Sequence, residues 1–387
     1  MKITSVETIG LSLPVGRTYY NTDGAGTKNE WGRLTRVSPK RPTPVAEYAI
    51  VRIETDQGVA GIGEAPVDIG FFGQTLEQVR AAVDDYLGPQ IVGADPFDRE
   101  MLAHRIAYRG NSCARSGIDL ALHDLMGKAL GVPVSDLLGG SGKARVPVAV
   151  EIAGGPPDEM ARACLEYIAQ GVRAFKPKIG GYPNRDAERL AAIRQAVGPD
   201  VSLRADANQG YSVKEAIALC RLAEARGVGL ELLEQPVPAW DLQGMAAVRR
   251  AVDTLIEADE SCFSIHDAMQ VVRHEAADVL NVKVAKAGGL YNAKRIATIA
   301  EAAGLQCVLG TAFGLGITRA AKLHLASATV RMIDAVEFTE IGLHEALLCE
   351  PDNSHLALPL DDGCLPVPDG PGLGVALDWD KAEQYRV

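Results

Sequence analysis

The feature that most constrains the fold is a repeated alternation between short apolar runs and amphipathic helical stretches, which begins near residue 146. The runs recur at intervals of roughly 25 residues, and the stretches between them, such as 186–197 and 213–226, have helical spacing. Strands that alternate with helices favour a parallel sheet, because each crossover helix returns the chain to the same edge. Eight such runs predict a (β/α)8 barrel. The runs are 146–153, 174–179, 201–205, 229–233, 255–258, 279–284, 307–309 and 333–338.

The part of the chain before residue 131 has a different pattern. Apolar alternation predicts three strands there, and helical periodicity follows without further strands, which indicates an α+β domain. The strands are predicted at 3–9, 46–54 and 59–64, and the helical segments at 76–87 and 98–130. The tail from Asp361 onward contains several prolines and glycines and is expected to return irregularly to this first domain.

The predicted fold is therefore of the α/β class, a (β/α)8-type TIM barrel with an N-terminal α+β capping domain that the C-terminal tail completes. The predicted boundaries are 1–130 for the capping domain, 131–345 for the barrel with the active site, and 346–387 for the returning segment. The barrel portion is short for this fold, so its loops are expected to be tight.

Composition argues against several classes of function. The formal net charge is −11, so no basic surface for nucleic acid is expected. No apolar run reaches the roughly 20 residues that span a bilayer, and the first residues lack the apolar stretch of a secretory signal. The seven cysteines form no CxxC pair, which argues against a disulfide framework. We therefore expect a cytoplasmic protein with neither a nucleic-acid nor a membrane partner.

Three consecutive predicted strands each end in a carboxylate, namely Asp206, Glu234 and Asp259. Active sites of such barrels lie at the carboxyl ends of the strands, so these side chains are expected to face one point. Three carboxylates that face one another repel strongly unless a cation lies between them. Their hard oxygen atoms suit Mg²⁺, with Mn²⁺ as an alternative.

Two strands that flank this trio end in lysine, Lys178 and Lys283, and in a barrel they stand on opposite sides of the predicted cation. This arrangement suits removal of the proton next to a substrate carboxylate, because a cation stabilises the second negative charge of the enediolate. Free lysine has a pKa of about 10.4, so a lysine that acts as a base near neutral pH needs a lowered pKa. Burial, the cation and the neighbouring ammonium of Lys176 are expected to lower the pKa of Lys178.

Five motifs together resemble the enolase superfamily and, within it, the muconate-lactonizing (muconate cycloisomerase) subgroup. They occur in the family's order and at its spacing, and the resemblance covers nearly the whole chain. The motifs are Lys176-Pro-Lys178, Asp206-Ala-Asn208, Glu234-Gln-Pro236, Asp259-Glu260-Ser261 and Lys283-Val-Ala-Lys286.

The resemblance implies a role for each matching residue. Asp206, Glu234 and Asp259 would bind Mg²⁺, and Lys178 and Lys283 would form the acid/base pair. The other implied roles are Lys176 beside the substrate carboxylate, Asn208 and Glu260 behind the metal ligands, and Tyr19, Tyr20, Trp31 and Phe313 as possible substrate contacts. Two loops of the capping domain, near 19–41 and 66–72, would select the substrate. Family members assemble as oligomers, so a homo-oligomer is expected.

Two positions distinguish this chain within the superfamily. Relatives similar to mandelate racemase use a histidine after the seventh strand, whereas no histidine lies near Leu309-Gly310, which favours the muconate-lactonizing subgroup. The same loop carries Gly314 where that subgroup usually has a glutamate, so lactonization of a muconate is not implied.

The function that this pattern favours is an isomerase acting on a small carboxylic acid, either a cycloisomerase or a racemase/epimerase. The two lysines suit transfer of a proton from one face of a carbon to the other. The alternatives are a dehydratase that eliminates water from a hydroxy acid, and a non-catalytic protein that binds a metal or a carboxylate. The sequence leaves the identity of the acid open.

Overall fold

The computed structural model describes residues 1–14, 45–108, 110–312, 314–338 and 360–387. Its first part is an antiparallel sheet in the order β1-β2-β3, covered by a long helix. The strands are β1 (Ile3–Pro14), β2 (Val45–Thr55) and β3 (Ala60–Val67), and the helix is α3 (Ser112–Leu130). Helix and sheet approach so closely that a Cβ atom on Gly61 or Gly63 would lie about 2 Å from a helix carbonyl oxygen.

The helical segment predicted at 98–130 is two helices rather than one. Here α1 (Leu76–Ala81) runs into a π-helical turn (Ala82–Leu87), and α2 (Arg99–Arg105) precedes α3. The backbone is left-handed at Gly110 and Asn111, with φ of 76° and 52°, which ends any continuous right-handed helix between α2 and α3.

Eight strands of the described chain form a parallel barrel in the order β10-β9-β8-β7-β6-β5-β4-β11. They are β4 (Arg145–Ile152), β5 (Ala174–Pro177), β6 (Ser202–Asp206), β7 (Leu232–Glu234), β8 (Leu255–Ala258), β9 (Val279–Val282), β10 (Gln306–Leu309) and β11 (Val336–Phe338). The barrel nearly closes where Ile333, just before β11, donates its backbone amide to Cys307 of β10 at 2.8 Å. The predicted (β/α)8 barrel is confirmed.

One short helix, α4 (Val134–Leu137), precedes the first barrel strand, and the other helices come after barrel strands. The others are α5 (Pro157–Ile168), α6 (Pro183–Val197), α7 (Val213–Ala225), α8 (Leu242–Ala251), α9 (Ile265–Arg273), α10 (Val284–Ala287), α11 (Leu290–Ala302) and α12 (Gly316–Ser327). The fourth barrel strand begins at Leu232, later than predicted, because Gly229 adopts a left-handed turn with φ of 60°. No described helix is long and apolar enough to cross a bilayer.

The C-terminal tail returns to the capping domain, as predicted. A short strand, β12 (Cys364–Pro366), pairs antiparallel with β4, and α13 (Trp379–Gln384) follows. The backbone amide of Ser12 on β1 then donates to the carbonyl of Tyr385 at 2.9 Å, and that of Val387 donates to Gly10 at 3.0 Å. The tail therefore connects the barrel to the edge of the first sheet.

Candidate active site

Strand order places Lys178 and Lys283 on opposite sides of the barrel. Lys178 directly follows β5 and Lys283 directly follows β9. These strands are four apart in either direction around the eight-stranded order. Both lysines line one cavity, whose other lining residues are Asp68, Phe71, Phe72, Glu151, Asn208, Thr311 and Ala312. A molecule in this cavity therefore meets lysine side chains from two opposite strands.

The three predicted carboxylates lie on neighbouring strands, and all are fully buried. The Nζ atom of Lys178 donates to Asp206 Oδ2 at 2.7 Å, and that of Lys176 donates to Glu234 Oε2 at 2.6 Å. Lys283 donates to Oδ2 of Asp259 at 2.6 Å. Each carboxylate of the predicted trio is thus neutralised by one of the predicted lysines.

Asp259 has a second ammonium partner, Lys286, the last residue of the fifth motif. Lys286 is 1% exposed, so it is not solvated. Its Nζ donates to Asp259 Oδ1 at 2.6 Å and to the backbone oxygens of Asp259 and Asn281, both at 2.8 Å. These contacts fix the orientation of the Asp259 carboxylate from behind the cavity.

The predicted lowering of the pKa of Lys178, which included the effect of a bound cation, is not produced by the protein's own side chains. Burial acts to lower the pKa of Lys178, but the carboxylate of Asp206 and then that of Glu151 outweigh burial. The pKa therefore lies well above its ordinary value. The ammonium of Lys176 does act in the predicted, lowering direction.

Asn208 and Glu260 lie beside the trio, where the resemblance had suggested. The backbone amide of Asn208 donates to Asp206 Oδ1 at 2.8 Å, and its side-chain amide donates to Glu260 Oε1 at 3.3 Å. Burial, followed by the charge of Asp259, raises the pKa of Glu260 to about 7. Asn208 is left-handed, with φ of 39°, a conformation that asparagine tolerates better than most residues.

Three further glutamates lie inside the barrel that the sequence motifs did not identify: Glu151, Glu257 and Glu337. Glu151 on β4 lies 3.1 Å from the ammonium groups of both Lys176 and Lys178. Glu337 on β11 also forms an ion pair with Lys176. Alternation along the strands could have located Glu257, because it lies two residues before Asp259 and so faces the same side.

Glu234, Glu257 and Glu337 form a buried carboxylate group whose oxygen atoms lie within 4.8 Å of one another. Burial, followed by the charge of Glu337, raises the pKa of Glu257 to about 8. Glu234 is also a member of the predicted trio. Among the described residues, it is the trio member that belongs to this carboxylate group. The trio offers hard carboxylate oxygens from adjacent strand ends, the ligand type that Mg²⁺ prefers, but among the described residues its three oxygen sets are not grouped within 4.8 Å of one another.

The capping domain supplies an aromatic wall to the cavity. The ring centre of Phe71 lies 4.6 Å from Nζ of Lys283, 4.9 Å from the ring of Phe72 and 5.4 Å from that of Phe263. Phe71 and Phe72 belong to the loop after β3, which the sequence had placed near the substrate. The candidate contacts Tyr19, Tyr20, Trp31 and Phe313 lie outside the described residues.

Gly314 has no room for a side chain. A Cβ atom on this residue would lie 2.3 Å from Cβ of Thr318 in the first turn of α12. The glutamate that the subgroup usually carries here could not be accommodated unless this turn moved.

The comparisons with known proteins agree with this architecture. Residues 38–139 match the family described as "Mandelate racemase / muconate lactonizing enzyme, N-terminal domain", and residues 159–381 match "Enolase C-terminal domain-like". The chain is 36% identical over 328 residues to the L-Ala-D/L-Glu epimerase of Clostridium acetobutylicum, covering 84% of this chain and 90% of that protein.

A cycloisomerase and a second epimerase are similarly close. The chloromuconate cycloisomerase of Cupriavidus pinatubonensis is 32% identical over 342 residues, covering 87% of this chain and 90% of that protein. The dipeptide epimerase of Enterococcus faecalis, solved with Mg and the dipeptide L-Leu-L-Tyr, is 32% identical with a TM-score of 0.85. That match covers 97% of this chain and all of the other. The chain therefore belongs to the mandelate racemase/muconate lactonizing enzyme family of the enolase superfamily, within its muconate-lactonizing branch of isomerases.

Proposed function

We propose that this isomerase uses Mg²⁺ to remove the proton α to the carboxylate of a small acid and returns a proton to the opposite face. The observation that carries the proposal is that Lys178 and Lys283, from strands on opposite sides of the barrel, line the same cavity. Such a pair suits a racemase or epimerase, because one lysine removes the proton and the other supplies one to the far face.

Asp206, Glu234 and Asp259 would hold the cation. A divalent cation held there supplies positive charge that stabilises the enediolate, and it competes with the ammonium groups for the same carboxylates. Lys178 and Lys283 act at Nζ, where each must be neutral to accept a proton and charged to return one. Phe71 covers Nζ of Lys283 and would keep water from that proton.

Racemization or epimerization is the preferred form of the isomerase, and cycloisomerization the second. Relatives of both kinds are similar to this chain. The packing of Gly314 against Thr318 favours racemization or epimerization, because it leaves no space for the glutamate that the muconate-lactonizing subgroup usually carries at this position. Dehydration of a hydroxy acid is a third possibility that uses the same lysines and cation.

Proton NMR in D₂O tests the proposal directly. The protein with Mg²⁺ is incubated with single stereoisomers of dipeptides, N-acylated amino acids, proline derivatives and diacids. Loss of the α-proton signal together with appearance of the other stereoisomer is the expected result. Formation of a 2-oxo product instead would favour the dehydratase.

Two variants make the test specific. Asp206→Asn should lose Mg²⁺-dependent exchange, and Lys143→Ala, which removes an exposed ion pair with Asp334, should not. Binding of acids without exchange of any α-proton would contradict catalysis and favour a non-catalytic binder.

A further inference from the structure

The carboxylate group of Glu234, Glu257 and Glu337 contains a side chain without a partner. Glu257 is fully buried, and neither of its carboxylate oxygens has a hydrogen-bond partner among the described residues. Oε1 of Glu337 is likewise without a partner in that part of the chain. A buried polar atom without a hydrogen bond destabilises the fold, and more strongly when it is charged, so these oxygens indicate a missing partner.

The charges in this group do not balance within the described chain. Lys176 is the ammonium group that contacts these carboxylates there, through Glu234 and Glu337. With all three carboxylates ionised, the group and Lys176 would carry two formal negative charges, which the guanidinium of Arg204 offsets in part at Glu257. Lys178 contacts Glu151 and Asp206 instead, while Lys283 and Lys286 contact Asp259.

The group of Glu234, Glu257 and Glu337 lies at a different place in the barrel from the predicted metal trio, although Glu234 belongs to both. Glu257 pairs in register with Glu234 and lies one inward-facing position before Asp259 on β8, towards the amino end of the strand. Glu337 enters from β11, on the far side of β4 and β5. Glu257 and Glu337 therefore lie deeper in the barrel than the strand ends, and Glu234 at the end of β7 belongs to both levels.

We propose that Glu234, Glu257 and Glu337 bind a second divalent cation inside the barrel, in addition to the one expected at Asp206, Glu234 and Asp259. One such ion would offset the negative charge of the ionised carboxylates and would be coordinated by the oxygens that lack a hydrogen-bond partner. Carboxylate oxygens select hard ions, so Mg²⁺, Mn²⁺ and Ca²⁺ are the ions that this site would take. Two-metal sites hold their ions about 3.5–4 Å apart, so both sites could share Glu234, whose oxygens accept from Lys176 and Asn281 in this structure.

Counting bound ions tests the proposal. The full chain is stripped with a chelator and titrated with Mn²⁺, and bound ions per chain are measured by calorimetry and by the electron paramagnetic resonance signal of free Mn²⁺. The wild type should bind two ions and Glu257→Gln one, because glutamine keeps the shape but removes the charge. Glu337→Gln should lose the same ion. Glu231→Gln, which changes a partly exposed carboxylate that contacts Arg204, is the control and should bind two.

Other ion counts would contradict either the inner site or the predicted outer site. One ion in the wild type, or two in Glu257→Gln, would overturn the second site and leave Glu257 as a protonated acid or a water ligand. Asp206→Asn should keep the inner ion and lose the outer one. If Asp206→Asn kept both ions, the proposed catalytic site would fail, whereas the inner site would stand.

Discussion

Glu64 of the capping domain accepts a hydrogen bond from the backbone amide of Leu315 in the barrel at 2.6 Å. The other oxygen of Glu64 accepts from the amide of Thr318 at 3.1 Å. Both amides belong to the start of α12, where the backbone has unpaired donors and a partial positive charge. The segment just before it contributes Thr311 and Ala312 to the cavity. One carboxylate from β3 therefore holds the capping domain against the loop that lines the reaction site.

Replacing Glu64 should weaken both the fold and the site. Glu64→Gln removes the charge and turns an NH₂ group towards a backbone N–H, so we expect about 1.5–3 kcal/mol less stability in urea unfolding. The same variant should have a higher KM for whichever acid exchanges its proton, because the cavity wall is no longer fixed. Glu54→Gln on neighbouring β2 changes an exposed ion pair and should alter stability by less than about 0.5 kcal/mol. Equal stability of the two variants would contradict the interdomain role.

The contact of Glu64 also illustrates what the sequence could not predict. The donor and acceptor are 251 residues apart, and no local pattern relates β3 to the start of α12. By contrast, Asp206, Glu234 and Asp259 were predictable because each follows a short apolar run, and parallel strands of a barrel end at the same rim. Positions at strand ends can be read from periodicity, whereas contacts between domains depend on how the domains pack.

Loss of either cavity lysine should slow turnover strongly without loss of the fold. Lys178→Ala and Lys283→Ala each remove a group that donates or accepts the proton, and we expect about 10²–10⁴-fold slower stereoinversion. Each ammonium also neutralises a buried carboxylate, so circular dichroism and a Mn²⁺ titration should accompany the rate measurement. Stereoinversion at the wild-type rate in either variant would remove that lysine from the mechanism.

Introducing a side chain at Gly314 should disturb the start of α12 rather than restore an acid to the site. Gly314→Ala places a methyl group 2.3 Å from Cβ of Thr318, and overpacking of this kind costs about 1–3 kcal/mol. Thr318→Gly removes the clashing atom, so the double variant should recover part of the lost stability. Gly155→Ala, where a Cβ has contacts of 3.9 Å or more, is the matched control. If Gly314→Glu were as stable as the wild type, this turn would have room to move.

The contacts between charged side chains inside the barrel also could not be predicted from the sequence. Glu151 and Glu337 each lie on a strand that carries none of the five motifs, and they meet Lys176 because β4, β5 and β11 are neighbours in the sheet. The pKa of Lys178 depends on such neighbours. The lowering effects of burial and Lys176 could be predicted, but not the larger opposing effect of the carboxylates of Asp206 and Glu151. The direction of a pKa shift follows from the full set of charges around a group, which only the assembled barrel defines.

His324 should make the stability of this protein fall below neutral pH. It is fully buried in α12, where its Nδ1 accepts from the amide of Ser135 at 3.2 Å and its Nε2 donates to the carbonyl of Leu373 at 3.1 Å. The contact with Ser135 needs the neutral ring, because Nδ1 must accept, and burial lowers the pKa of His324 to about 4. A histidine in the unfolded chain has a pKa of about 6.5. Between that pH and the lower pKa of the folded state, the unfolded chain binds a proton that the folded protein does not.

These two pKa values determine in which direction the stability changes with pH and over which pH range it does so. Above about pH 6.5 both states are neutral and stability is unaffected, whereas between about pH 6.5 and pH 4 stability falls by a total of about 3 kcal/mol. Urea unfolding at several pH values should show this loss in the wild type and less of it in His324→Gln, although that variant starts from a lower stability at pH 8. The exposed His274→Gln variant controls for loss of a histidine elsewhere. An equal fall in stability for His324→Gln and the wild type would assign the acid sensitivity to other groups.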